Sequence, residues 1–194
     1  AKGQKTKPLQ VSSPDGEIVV SVTAGSKLEW SLKHKGQEMI DPSPMGLALQ
    51  SGEVLGDAPK INSSKMEKVK RIITPINYKK SSIQDEYNQL TIRCKGDFGV
   101  LFRVYNDGAA YRIFTSRKED LVIQNEDVNF NFTADHKAFI PFVRDLRGTE
   151  IYINSFEALY KELNISQINP DTLAFLPLLI DVGNGKKAVI LEAD

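Results

Sequence analysis

Cys94 is the sole cysteine, so no intrachain disulfide can form. It lies in "LTIRCKG" on the same alternating face as Leu90 and Ile92, which reads as a core thiol and not as a reactive one. Basic and acidic side chains number 25 each, a balance that removes the electrostatic case for nucleic acid or an anionic membrane surface. Apolar runs are short: the longest, "LAFLPLLI", is broken by Pro177 and falls far below the roughly 18 residues of a helical membrane span. The N-terminal "AKGQKTKPLQ" carries three lysines and no apolar stretch, so it holds no signal peptide, and a chain whose leader has been removed would read the same. Catalytic signatures are missing as well. GxSxG, HExxH, P-loop, GxGxxG and EF-hand patterns do not occur, and the only two histidines, His34 and His136, sit in separate polar contexts. Carboxylates such as Asp85 and Glu86 are sequence neighbours, which on a strand point to opposite faces and cannot act on one bond together.

What the chain has in abundance is alternation of period two, recurring at short spacing with turn residues between, the pattern of an all-β fold. In "EIVVSVT" Ile18, Val20 and Val22 share a face; after the turn "AGS", "KLEWSLKH" turns Leu28, Trp30 and Leu32 inward. "DPSPMG" reads as a loop, because Pro42 and Pro44 cannot donate to a ladder, and "MGLALQ" resumes a strand. Residues 51–64 read as an exposed connection. Further strands are predicted at 66–74, 77–84, 88–95, 99–105, 110–115, 128–132, 137–141, 173–181 and 187–192. "SFEALYKELNIS" is the one helix candidate, with Phe156, Leu159, Tyr160 and Leu163 spaced by three and four. "LAFLPLLIDVG" is apolar on both faces and reads as a central strand with Pro177 at a bulge or an end. The expected architecture is a large β-sandwich with at most one short helix. Residues 1–12 form a flexible N-terminal segment and 13–194 a single domain.

Two places invite a functional reading. "FRVYNDGAAYRI" predicts a hairpin with Asp107 and Gly108 in a two-residue type I′ loop, a register that sets Arg103 directly opposite Arg112. Like charges across a ladder repel, so a charge cluster of Arg103, Arg112 and a compensating anion is expected, supplied by Asp85 or Glu86 or by an anionic ligand. At the C-terminus the alternation of Ala188, Ile190 and Glu192 carries a carboxylate onto a face that should be buried, where it must be paired or must coordinate something. Calcium suits such an oxygen donor but takes roughly 6 to 8 of them, so Glu192 is at best one ligand of a shared site.

Taken in order, "SPDGEIVVSV", "SPMGLAL", "DEYNQLTI", "FRVYNDGAAYRI", "ADHKAFIPF" and "VILEAD" resemble the N-terminal domain of family 97 glycoside hydrolases over residues 13–194. The resemblance implies a β-super-sandwich that belongs to an exo-acting α-glycosidase, mostly found in gut Bacteroidetes and joined there to a catalytic (β/α)₈ barrel and a small C-terminal β-domain. It implies further that Glu192 reaches the active site of the barrel and coordinates calcium together with barrel carboxylates. The acid and the base or nucleophile of the family lie in the barrel, so no catalytic residue falls in this chain and the isolated chain is not expected to be an enzyme. Inverting α-glucosidase members carry a Trp-Gly pair shortly before the Tyr-Asn motif. Here the sequence is "ITPINYKKSSIQDEYNQL", which places the retaining, α-galactosidase-like branch ahead. The expected partners are the chain's own barrel and, through it, an oligo- or disaccharide, in a periplasmic or otherwise secreted setting. The alternative is a free-standing carbohydrate-binding or cell-surface module. It is disfavoured because aromatics are 8% of residues and mostly at inward positions.

Overall fold

The computed structural model describes residues 7–143 and 158–192. It divides into two compact units, residues 1–131 and 132–194, and among the described residues it is built from strands.

The first unit holds two antiparallel sheets. One runs β1 (Leu9–Ser12), β2 (Ile18–Ala24), β3 (Leu28–His34), β4 (Gln37–Leu49) and β10 (Ile123–Val128), with the short β5 (Val54–Leu55) beside β4. The other runs β6 (Ile61–Ile73), β7 (Ile83–Cys94), β8 (Phe98–Val104) and β9 (Ala109–Thr115). Their facing sides carry the alternating residues: Val20, Val22, Leu28 and Trp30 from the first, Leu90, Ile92, Val100 and Phe102 from the second, all buried. Trp30 packs between the sheets against Phe102 and Tyr111, at ring distances of 6.2 and 5.7 Å. Cys94 is buried on this face as expected, and desolvation pushes its thiol pKa up. Gly99 is required where it stands, because a Cβ there would sit 2.3 Å from the carbonyl oxygen of Ile92.

Several expectations are corrected here. Residues 37–49 form one strand straight through Pro42 and Pro44. The missing proline N–H groups are tolerated because side chains stand in for the ladder: Asn131 Nδ2 donates to the Pro42 carbonyl at 2.8 Å, Asn129 Nδ2 to the Pro44 carbonyl at 3.0 Å, and the Asn131 N–H to Ser43 Oγ at 2.8 Å. The segments predicted at 77–84 and 88–95 are a single strand that begins at Ile83. Leu9–Ser12, expected within a flexible leader, pairs with β2 from Leu9↔Val22 to Ser12↔Val19.

The second unit is a four-stranded antiparallel sheet in the order β12 (Lys161–Asn164), β11 (Lys137–Ile140), β13 (Leu178–Gly183), β14 (Lys186–Ile190). β13 is an interior strand that starts just after Pro177, in line with its apolar sequence. Ala138, Ile140, Ile180 and Val182 line the buried face. The helix expected over 155–166 is not formed from residue 158 onward; residues 155–157 lie outside the described residues. Lys161–Asn164 pair with β11, and Ile165–Gln167 make one 3-10 turn. Edge pairing satisfies the backbone of four residues at once, and it outweighs a helical spacing of apolar side chains that leaves Leu159 exposed.

Candidate functional site

Glu192 stands two residues beyond the end of β14, and its side chain is exposed. The expectation of a buried carboxylate does not hold, for a definable reason. The β13–β14 ladder closes at Leu178↔Ile190. The next residue on β13's side is Pro177, which has no N–H to continue it. The strand therefore stops pairing and Glu192 projects past the sheet. The unit's carboxylates on strands are paired with lysines: Asp181 accepts from Lys187, and Glu162, on the opposite edge strand, accepts from Lys137 at 2.5 Å. The Lys187 ammonium and the Gly183 N–H hold the Asp181 carboxyl below its ordinary value, while Glu162 pushes the Lys137 ammonium up. Among the described residues no three His, Cys, Asp or Glu side chains come close enough to hold a metal. Glu192 thus fits calcium only as a single hard oxygen donor, one of the roughly 6 to 8 the ion takes.

The arginine pair is arranged differently from the sequence expectation. The β8–β9 ladder runs Leu101↔Arg112, Arg103↔Ala110 and Val104↔Ala109, so the two arginines share a face as diagonal neighbours and are not directly opposed. The loop is closed by the Tyr105 N–H donating to the Gly108 carbonyl at 2.8 Å, which leaves Asn106 and Asp107 at its tip. A type I′ turn requires positive φ at its central residues, and none of Asn106, Asp107 and Gly108 has it. No carboxylate among the described residues forms an ion pair with either arginine. Asp85, nearly buried, binds Arg71 Nε at 2.7 Å, and Glu86 takes Lys70 at 2.9 Å. Arg103 instead donates from Nε to Gln89 Oε1 at 3.0 Å and lies 4.8 Å over the Tyr87 ring, while Arg112 is exposed. An amide oxygen and an aromatic face thus do what a carboxylate was expected to do.

The sequence reading missed the outer face of the second unit's sheet. Strand alternation puts Lys137 and Phe139, Asp181 and Leu179, and Lys187 and Val189 on that face, opposite Ala138, Ile180 and Ala188. The signal was present in "KKAVILEAD", where Val189 and Leu191 are as apolar as Ala188 and Ile190, so the run is not the alternation of a strand with one wet face.

The sequence matches the glycosyl-hydrolase 97 N-terminal family over residues 11–194. A retaining α-galactosidase of Bacteroides thetaiotaomicron is 34% identical over 194 residues, an alignment that covers 98% of this chain and 29% of that protein. Two solved structures share the fold. A β-arabinopyranosidase matches with a TM-score of 0.81 at 21% identity, covering 93% of this chain and 31% of that one. A glycoside hydrolase family 97 enzyme of Pseudoalteromonas sp. strain K8 in complex with panose matches with a TM-score of 0.73 at 19% identity, covering 89% and 26%. The chain therefore spans less than a third of the length of each of these relatives, and it belongs to the N-terminal domain family of glycoside hydrolase family 97.

Proposed function

We propose that this N-terminal domain serves a retaining, α-galactosidase-like enzyme without performing chemistry itself, by supporting the catalytic barrel and lending Glu192 to a calcium ion in the active site. The observation that carries this reading is the placement of Glu192, exposed beyond the last paired residue of β14, in a unit whose other strand-borne carboxylates are neutralised by lysines. An unpaired carboxylate held out at a strand end is available to a partner domain. The α-galactosidase preference rests on the 34% identical relative, which carries that activity, and on the absence of a Trp-Gly pair before the Tyr-Asn motif. Calcium bound there would supply positive charge close to the scissile bond. This chain's own contribution is one carboxylate, presented two residues past the end of the β13–β14 hairpin. The substrate is an oligo- or disaccharide with an α-linked terminal sugar, met in the periplasm or outside the cell. No helix among the described residues is long and apolar enough to cross a membrane.

The test is a comparison of the 194-residue chain with the full-length protein on aryl α-galactosides and aryl α-glucosides. Glycosidic cleavage needs two carboxyl groups flanking one bond, so turnover is expected only from the full-length protein, with the galactoside preferred. Hydrolysis by the isolated chain, or an inert full-length protein, would sink the reading.

A further inference from the structure

The β6-β7-β8-β9 sheet packs one face against the other sheet of the first unit, through Leu90, Ile92, Val100 and Phe102, and turns its second face outward. Register arranges that outer face in rows across the strands. One row holds Arg93, Gly99 and Phe114, the next Lys65, Thr91, Leu101 and Arg112, and the third Glu67, Gln89, Arg103 and Ala110. The two strand-borne carboxylates of this face are neutralised where they stand, Glu67 by Lys65 at 2.9 Å and Asp85 by Arg71 at 2.7 Å. Arg93, Arg103 and Arg112 are left without an acidic partner among the described residues. Two of the three are held in place by rings. A Cβ on Gly99 would lie 2.5 Å from Phe114 Cζ, so the missing side chain makes room for that ring. The Arg93 guanidinium lies 5.3 Å over the Phe114 ring and the Arg103 guanidinium 4.8 Å over the Tyr87 ring. A guanidinium held over a ring still has N–H groups to offer a carboxylate, and it loses less freedom on binding than a free side chain does.

We propose that this face binds an acidic saccharide chain, with successive carboxylates met by Arg112, Arg103 and Arg93 and hydroxyl groups met by Gln89 and Thr91. The site is independent of the role proposed for Glu192. Its spacing selects a chain over a small ion: Arg103 and Arg112 are diagonal neighbours, about 7 to 8 Å apart, and Arg93 stands one row further and two strands across from Arg112, about 12 Å away. One small anion cannot meet all three, whereas a chain with an acidic group on each unit can. Its surface selects saccharide over a protein or a lipid bilayer. Tyr87 is buried and Leu101, Tyr105 and Phe114 are half-buried, so the face has neither the exposed apolar core of a protein interface nor an apolar edge to enter a membrane. Recognition here is by charge, since the rings of Phe114 and Tyr87 are covered by guanidinium groups and do not stack on sugars.

The test is isothermal titration of the full-length protein with an oligogalacturonate, its methyl ester, poly-glutamate and a DNA oligonucleotide. The oligogalacturonate is expected to bind, more weakly as salt rises, and the neutral ester not to bind. Arg112→Gln, exposed and unpartnered, should lower the affinity about tenfold while leaving the thermal unfolding midpoint unchanged, and Arg93→Gln added to it should lower the affinity further. Lys80→Gln, in the loop between β6 and β7 and outside this face, should bind as the wild type does. The proposal is overturned by no binding of the oligogalacturonate, by equal binding of its ester, or by a loss in Lys80→Gln equal to that in Arg112→Gln. Poly-glutamate or DNA bound as tightly as the oligogalacturonate would overturn it too, since the face would then answer to any polyanion.

Discussion

The backbone N–H of Asp15 donates to the side-chain oxygen of Asn106 at 3.1 Å, joining two turns 91 residues apart in sequence. Each turn is built locally. Ser13 Oγ donates to Asp15 Oδ1 at 2.5 Å and accepts from the Ile18 N–H at 3.0 Å, the Glu17 N–H reaches the same Asp15 oxygen at 3.0 Å, and Gly16 takes φ +79°. Those hydrogen bonds hold the Asp15 carboxyl below its ordinary value, the one from Ser13 most strongly. "SPDG" and "YNDG" thus interlock where β2 begins and where β8 turns into β9. Asn106→Ala removes the link but leaves each turn intact. A single, water-accessible hydrogen bond is worth about 0.5 to 1 kcal/mol, and the urea midpoint should fall by that energy divided by the slope, the slope itself being unchanged. No shift would mean that the two turns are held together by other contacts.

Glu53 and Arg117 form a two-pronged pair, with Nη1 donating to Oε2 at 2.7 Å and Nη2 to Oε1 at 2.6 Å. Arg117 is held as well by donation from Nε to the Gly96 carbonyl at 3.0 Å. Hydrogen bonding from Arg117 lowers the Glu53 carboxyl from its ordinary 4.5. A carboxyl with a depressed folded-state pKa contributes stability that is present above the ordinary value and is lost as pH falls through the folded one. Glu53→Gln should therefore cost about 0.5 to 1 kcal/mol at neutral pH, the scale of a well-formed surface pair. The gap between wild type and variant should close below pH 4.5, as the wild-type carboxyl takes up its proton. A gap of constant size in acid would show that the pair contributes through packing and not through charge.

At the opposite end of the pH scale, Tyr111 is pushed up to about 12, first by burial and then by the charges of Glu126 and Asp127. Its ring lies 5.7 Å from Trp30 and 5.8 Å from Phe102. Because the folded-state value is raised, its contribution is whole below the ordinary 10 and disappears as pH climbs through about 12. Tyr111 should ionise late in a spectrophotometric titration, together with a change in the emission of the only tryptophan. Tyr111→Phe should delete that late step and move the alkaline unfolding midpoint upward. Retention of the step in the variant would assign it to another residue.

How much of this was legible beforehand depends on what each residue answers to. Val20, Trp30, Leu90 and Cys94 were placed correctly because alternation reports directly on a sandwich core. Pro42 and Pro44 misled, since their tolerance depends on Asn129, Asn131 and Ser43, partners remote in sequence. The "YNDG" register failed by two residues for the same kind of reason: the Asn106 side chain accepts from Asp15, and the tip takes negative φ in place of the turn that Asp-Gly favours alone. Residues 161–164 were drawn from helix to strand by the edge of β11. Glu192 was singled out from the sequence, but its exposure depends on Pro177 facing the end of β14, a relationship visible only once the two strands are aligned.

Glu192→Gln separates the roles that remain for that residue. The change keeps shape and removes charge, and the side chain is exposed beyond the last paired residue, so the 194-residue chain should lose no more than about 0.5 kcal/mol of stability. Calcium gives up its hydration only when several oxygens replace the waters together, so one carboxylate in water binds it feebly. Isothermal titration of the 194-residue chain with calcium should accordingly show no specific site, before or after substitution. In the full-length protein the other ligands would come from the catalytic barrel, and Glu192→Gln should weaken calcium binding and lower turnover together, because the two share one ion. Adding calcium in excess should restore part of the activity if the loss is one of occupancy. Tight binding by the 194-residue chain, or unchanged binding by the full-length variant, would return Glu192 to ordinary exposed surface.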